Sequence, residues 1–343
     1  MKPSTYFLVN DTRYDNHHGG LTVVKNLHLG LARRGWTCTG SLPVSAAAGQ
    51  LRRHRREIAA ARLIVVNGEG SLHHDSRNAR RLFGVCAALL EESRPIALIN
   101  AVWQDNDPVR WKPLLGRLAA ISVRDRRSQE QLRAMGVAAE CAPDLTFYDY
   151  PRFPAPSRAR YGCTDSVVKS WTEMALRLCA QDPEIEFLTL FTKELRHRRG
   201  FRDWDKAIKY RLYPRLWTAF GLPVPPRYRS LPHADAETAA FLGRLAACRA
   251  VCVARYHALC FALQQQVPFV AVASNSHKSE ALLEEVGLPL DRFLIGPDEF
   301  GRLKEKLEQA ARDYPAVQTT VAEFNRRAKE RLEQMFDRLA GLP

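Results

Sequence analysis

The chain has 343 residues, enough for two domains of ordinary size, each with its own core. Hydrophobic content of 46% and charged content of 26% exclude a disordered or fibrous polymer and fit a soluble globular protein. The net charge of +14 is unusual and implies an anionic partner: a phosphorylated substrate, nucleic acid or an acidic membrane surface.

Residues 6–10 read as a first buried strand, followed by a polar loop, 11–20, that ends on Gly19 and Gly20. A helix with Leu21, Val24, Leu27 and Leu31 on its apolar positions runs to Gly35. Residues 62–67 form the clearest strand of the first half and end in a turn, Gly68-Glu69-Gly70-Ser71-Leu72-His73-His74-Asp75. A helix over 79–90, a strand over 95–102 and a helix over 111–118 follow. The strand over 119–125 ends on Arg124 and Asp125, and Ser128 is placed to cap the next helix. A short strand over 137–145 closes the half on Pro143-Asp144. Three prolines without hydrophobic periodicity mark 149–160 as a linker.

Beyond the linker the alternation restarts: helix 166–180, strand 185–191, helix 235–249, strand 251–254, helix 256–266 and strand 268–273. A strand over 293–295 and a mostly helical tail complete the chain, and 324–339 is amphipathic. Strands alternating with helices predict two mostly parallel, doubly wound sheets. The expected division is 1–148, linker 149–160, 161–320 and a C-terminal helix over 321–343. In open α/β sheets ligands bind at the carboxyl ends of strands. Arg255 and His257 stand at one strand end and His277 and Lys278 at the next, so two cationic clusters point to an anion site.

The segment 196–230 interrupts the second half with ten lysines and arginines interleaved with Phe201, Trp204, Tyr210, Tyr213, Trp217, Phe220 and Tyr228. It reads either as a solvated helical hairpin with its aromatics turned inward or as a contact for an anionic membrane surface. No DNA- or RNA-binding motif accompanies it, so nucleic acid is not expected as a partner. Eight cysteines lie mostly in apolar patterns, as free thiols do in reducing compartments. Cys248 and Cys252 lack a second pair at metal-ligand spacing, so no metal is expected. With no signal-peptide core and no run of about 20 apolar residues, the expected location is cytoplasmic, with peripheral attachment to the inner face of the plasma membrane as an option. The sequence carries no signature of oligomeric state.

Together these landmarks resemble the polysaccharide pyruvyl transferase family. They are Asn16-His17-His18-Gly19, the strand ending Val66-Asn67-Gly68-Glu69-Gly70-Ser71-Leu72, Ser122-Val123-Arg124-Asp125, Pro143-Asp144, Cys163-Thr164-Asp165-Ser166, Arg255-Tyr256-His257, Val267-Pro268 and Lys278. The resemblance covers residue 10 to about 287. It implies two Rossmann-like domains in a GT-B-like arrangement, with the last helix packing back on the N-terminal domain. It also implies phosphoenolpyruvate as donor, no bound cofactor, and as acceptor a sugar of a cell-surface polysaccharide or its lipid-linked precursor.

The residue types suit that chemistry. Phosphoenolpyruvate carries a carboxylate and a phosphate, and Arg255, Lys278 and Arg124 are candidate cations for them. Forming a ketal requires proton delivery to the enol carbon and removal of hydroxyl protons, and His257 is the candidate acid/base. The plainer alternatives are a core or capping role for His257, a salt bridge across the domain cleft for Arg255, and a solvated helix start for Lys278. One departure from the family pattern stands in the glycine-rich turn, where Glu69 replaces the middle glycine and His74 stands where an acid is usual. A carboxylate there repels phosphate, so Glu69 is expected to meet the acceptor's hydroxyls or to act as base. Asn16, Gly19, Asn67, Gly68, Gly70 and His74 are the other expected acceptor contacts. The competing reading is a glycosyltransferase of the same architecture, with Arg255 and Lys278 on a nucleotide diphosphate.

Overall fold

Runs such as Leu63-Ile64-Val65-Val66 are apolar at every position because helices cover both faces of a parallel sheet. The computed structural model describes residues 4–70, 72–154, 159–192, 219–220, 235, 237–273 and 276–342. The first sheet contains β1 (Ser4–Asp11), β2 (Trp36–Pro43), β3 (Leu63–Asn67), β4 (Ile96–Ala101), β5 (Ala120–Val123) and β6 (Glu140–Cys141). The helices of this half are α1 (His18–Ala32), α2 (Arg55–Ala60), α3 (Arg77–Leu90), α4 (Pro108–Leu115) and α5 (Arg126–Ala134). The second sheet contains β7 (Arg160–Thr164), β8 (Ile185–Leu188), β9 (Cys248–Val253), β10 (Phe269–Val272) and β11 (Leu294–Ile295). Its helices are α6 (Lys169–Gln181), α7 (Thr238–Ala246), α8 (Tyr256–Gln265), α9 (Lys278–Val286), α10 (Leu290–Phe293) and α11 (Leu303–Ala340).

Among the described residues the pairs of these strands are parallel, in the orders β2-β1-β3-β4-β5-β6 and β11-β10-β9-β7-β8. Both sheets therefore begin with the same topology. The chain leaves the first strand for one neighbour, then crosses back to pair on the other side. The strand order reverses between β1 and β3 in one sheet and between β7 and β9 in the other, and such reversals open a crevice at the carboxyl edge. In register, Val9 faces Val66 across the first reversal and Cys163 faces Cys252 across the second.

Four local expectations change. Residues 36–43 form β2, which shows no apolar run because it is an edge strand with a largely half-exposed side. The loop expected over 11–20 is shorter, since Gly19 and Gly20 lie in the first turn of α1. Asp125, not Ser128, caps α5: its carboxylate accepts from Ser128 N at 2.7 Å. The strand expected over 137–145 is only Glu140–Cys141.

The helix expected over 321–343 is the second half of α11, which packs on the first half of the chain. A Cβ added at Gly30 of α1 would lie 2.6 Å from Phe336 Cδ2, so the glycine lets the two helices touch. Arg34 bridges to Glu333 at 2.9 Å and Asp337 at 2.7 Å. One hydrophobic cluster includes Leu8, Val24 and Leu27 from the first half, Leu259 and Phe261 of α8, and Phe324 and Phe336 of α11. Backbone bonds also join the halves: His18 N donates to Leu190 O at 2.8 Å and Thr192 N to Asn16 O at 3.0 Å. All eight cysteines are free thiols. Among the described residues no helix is long and apolar enough to cross a membrane. The basic–aromatic segment 196–230 lies outside the described residues, except 219–220.

Candidate active site

The two strand-order reversals face each other, and the expected catalytic groups meet there. On the first wall, β3 ends at Asn67 and delivers Glu69 beside the end of β1. Thr12 donates its hydroxyl to Glu69 Oε2 at 2.6 Å, and Glu69 N donates to Asn67 Oδ1 at 3.2 Å. Asn67 Nδ2 also donates to Glu69 Oε2 at 3.4 Å, so the carboxylate meets a hydroxyl from beyond one strand end and a side-chain amide from the other. On the second wall, β9 ends just before Arg255, and His257 sits in the first turn of α8.

His257 is 8% exposed, and its Nε2 lies 3.5 Å from Glu69 Oε1 and 3.6 Å from Asp144 Oδ2. Both separations exceed hydrogen-bond length, and Nε2 makes no hydrogen bond. Catalytic contacts of this kind are often long before substrate binds and shorten with it. Gly19 makes room for the ring: a Cβ there would lie 2.6 Å from His257 Cβ and closer still to the imidazole. His17 completes the packing with its ring centroid 5.7 Å from that of His257, while its Nδ1 accepts from Gly19 N at 3.0 Å. Burial, reinforced by the charge of Arg255, holds the His17 imidazole well below its ordinary pKa.

Asp144 is fully buried, and its Oδ2 accepts from Arg124 Nη1 at 2.7 Å. Burial would raise this carboxyl, but His257 and then Arg124 outweigh it and hold the pKa well below the carboxylate range. Arg124 also lies over the Tyr256 ring at 4.1 Å. It is therefore a committed structural cation with one free edge, because its Nε has no partner. Arg255 pairs with Asp165, donates Nη2 to Ser166 O at 3.3 Å and lies over the Phe191 ring at 4.7 Å. Its partner is thus in its own half of the chain rather than across the cleft, and the pair marks the β7–β9 reversal.

Lys278 differs from both arginines. Among the described residues no carboxylate lies within ion-pair distance of it. Burial, with the charges of Arg124 and Arg255 adding to it, presses its amino group down to about 8.

The structure separates the remaining expected contacts. Asn16, at φ 51°, caps a short 3-10 turn and is 3% exposed. Asn67 is fully buried, donating to Asn10 O at 3.4 Å and Thr12 Oγ1 at 3.3 Å, so both asparagines shape the backbone under the site. Gly68 N donates to Ile99 O at 2.7 Å, and Gly70 turns the chain at φ 68°. His74, at φ 53°, is exposed, with Nδ1 3.4 Å from Asp105 Oδ2. Its neighbour His73 is more buried, with Nδ1 out of contact with solvent. Burial, then the charge of Lys278, lowers the His73 imidazole to about 4. Sequence reasoning passed over His73, and no local signal distinguishes it from His74.

The model of the polysaccharide pyruvyl transferase family matches residues 8–276, most of the chain. No curated protein sequence matches it. Among solved structures it is similar to the α,α-trehalose 6-phosphate synthase of Burkholderia multivorans. The two share 13% identity at a TM-score of 0.53, covering 99% of this chain and 96% of that one. It is also similar to a Polygonum tinctorium UDP-glucosyltransferase that glucosylates indoxyl, at 10% identity and TM-score 0.51, with 99% and 98% covered. The UDP-GlcNAc 2-epimerase of Methanocaldococcus jannaschii follows at 10% identity and TM-score 0.50, with 90% and 92% covered. At these identities the likeness concerns the fold, which is GT-B-like as the sequence implied. The match over residues 8–276 identifies the chain as a member of the polysaccharide pyruvyl transferase family.

Proposed function

We propose that this pyruvyl transferase takes phosphoenolpyruvate as donor and builds a pyruvate ketal on two hydroxyls of one sugar. The sugar belongs to a cell-surface polysaccharide or its lipid-linked precursor. The observation that carries the donor assignment is Lys278, a half-buried ammonium with no carboxylate within ion-pair distance among the described residues, close enough to Arg124 and Arg255 for their charges to act on it. A desolvated ammonium without a carboxylate of its own favours a ligand that brings negative charge to it.

The reaction needs few groups. Two sugar hydroxyls form two C–O bonds to C2 of the donor, the C2–O–phosphate bond breaks, and C3 gains a proton. Of the two hydroxyl protons released, one replaces the proton given to C3 and the other leaves on phosphate. His257 delivers the proton to C3, and Glu69 removes hydroxyl protons from the acceptor. Asp144, tied to Arg124, lies 3.6 Å from the same Nε2 and favours the charged imidazolium electrostatically. Glu69 stands on the wall opposite Arg255, which fits an acceptor entering from the first half of the chain.

Ligand-induced thermal stabilisation tests this reading, because a ligand that binds only the native state raises its apparent stability. Phosphoenolpyruvate is expected to raise the melting temperature and UDP-sugars are not. The reverse pattern would replace pyruvyl transfer by glycosyl transfer. For a lipid-linked acceptor, the basic–aromatic segment 196–230 supplies the contact with an anionic membrane, supported by its composition.

A further inference from the structure

Several buried polar atoms around Lys278 lack hydrogen-bond partners, and most are donors. Ser276 is 5% exposed and its Oγ is unpartnered. His73 Nδ1 and Arg124 Nε are likewise buried without partners. Burying such groups unsatisfied is costly, so their gathering in one place calls for a ligand.

Gln104 brings them together. Its backbone accepts from His74 N at 2.8 Å and donates to Leu72 O at 3.4 Å, so it runs beside His73. Its side chain reaches the other half, where Oε1 accepts from His277 N at 3.0 Å. His277 Nε2 in turn lies 3.2 Å from Asp125 Oδ1, next to Arg124. The turn carrying Ser276 and Lys278 is therefore clasped between the His73 turn and the Arg124 strand end. The same turn opens α9, a nine-residue helix without a side-chain cap, whose first amide N–H groups add donors on the same side. Glu280 Oε2 is the unpartnered acceptor of this helix turn, and its charge acts on Arg127 on the outer flank as well as on Lys278.

We infer that Ser276 Oγ, His73 Nδ1, Arg124 Nε and the start of α9 form with Lys278 a subsite for a phosphate dianion. This rests on the donor reading above and goes further by assigning the phosphate, rather than the carboxylate, to this end of the cleft. His73 and Ser276 are then substrate-contacting groups that neither the sequence nor the family match assigns. The donor's carboxylate falls to Arg255. His73 acts as a neutral donor here, with its proton on Nδ1.

Titration calorimetry on the full-length protein with phosphoenolpyruvate and, separately, inorganic phosphate tests the subsite. Ser276→Ala and His73→Ala are each expected to weaken both ligands about tenfold, equivalent to about 1.4 kcal/mol. His73→Asn, whose amide can occupy the Nδ1 position, is expected to recover part of the loss. Ser276→Ala removes a hydroxyl without a partner, so its melting temperature without ligand should match the native protein and separate binding from folding. If phosphoenolpyruvate binding weakens while inorganic phosphate binding does not, these groups hold the carboxylate and the assignment is overturned. Native-like binding of both ligands by both alanine variants overturns the subsite and leaves the donor reading standing. A native protein that binds neither ligand overturns the donor reading itself.

Discussion

Gly19→Ala separates positioning from folding. Alanine is the better helix former by about 1 kcal/mol, and α1 is regular at this position, so on local grounds the change should stabilise. The added methyl, however, would lie 2.6 Å from His257 Cβ, where ordinary contact begins at 3.4 Å. Relieving that overlap requires the histidine or the first turn of α1 to retreat by about 1 Å, a displacement that can cost on the order of 100-fold in rate. Overpacking costs about 1–3 kcal/mol, so net stability should fall by at most about 2 kcal/mol after the helix gain. Phosphate release from phosphoenolpyruvate, measured with envelope glycan precursors as acceptor, should drop about 100-fold while the melting temperature moves by a few degrees. A Gly19→Ala protein with native turnover would refute the claim that this glycine sets the place of His257.

His257→Ala should abolish turnover while leaving phosphoenolpyruvate binding largely intact; unchanged turnover would remove His257 from the mechanism. Glu69→Gln keeps the bond from Thr12 but removes the base, and a loss of at least about 100-fold in kcat is expected without weaker donor binding. Lys278 carries a pH signature with a definite sign. Its folded pKa of about 8 lies below the ordinary 10.5, so its charge destabilises the fold at pH 7, and the penalty fades as pH rises through 8 towards 10.5. Lys278→Met should therefore raise stability at pH 7 by a few kcal/mol in denaturant melts, with the gain vanishing above about pH 10. In the native protein, phosphoenolpyruvate affinity should decline as pH rises through about 8. Sedimentation with anionic liposomes should retain the protein at low salt and release it at moderate salt; no retention at low salt would return 196–230 to a solvated hairpin.

The strands that end in chemistry were legible in the sequence because both-face burial makes them apolar and their polar turns stand out. That is why Glu69, Arg255 and His257 could be named from residue type and placement alone. What the sequence withheld depends on contacts between distant residues. Gly19 looks like a loop glycine, yet its reason is the ring of His257, which belongs to the other half of the chain. Asp144 appears as a landmark after a proline, and only the fold shows that it stands between His257 and Arg124, near the one and bonded to the other. The choice between His73 and His74 turns on which of the two is more buried, which adjacent identical side chains do not reveal. The sequence could not say which carboxylates pair with Arg124 and Arg255, because Asp144 and Asp165 lie 20 and 90 residues away in the chain.

The hydrophobic cluster that continues from α1 through α8 to α11 governs how the molecule comes apart. Two separate sheets would ordinarily melt as two units, but a shared core joined by backbone bonds couples them into one cooperative transition. Neither half is then expected to be stable as an isolated fragment, since each would expose the face that the other covers. Trimming the end of α11 would uncover α1 at Gly30 and Arg34, so a loss at the C-terminus would first loosen the half that carries Glu69.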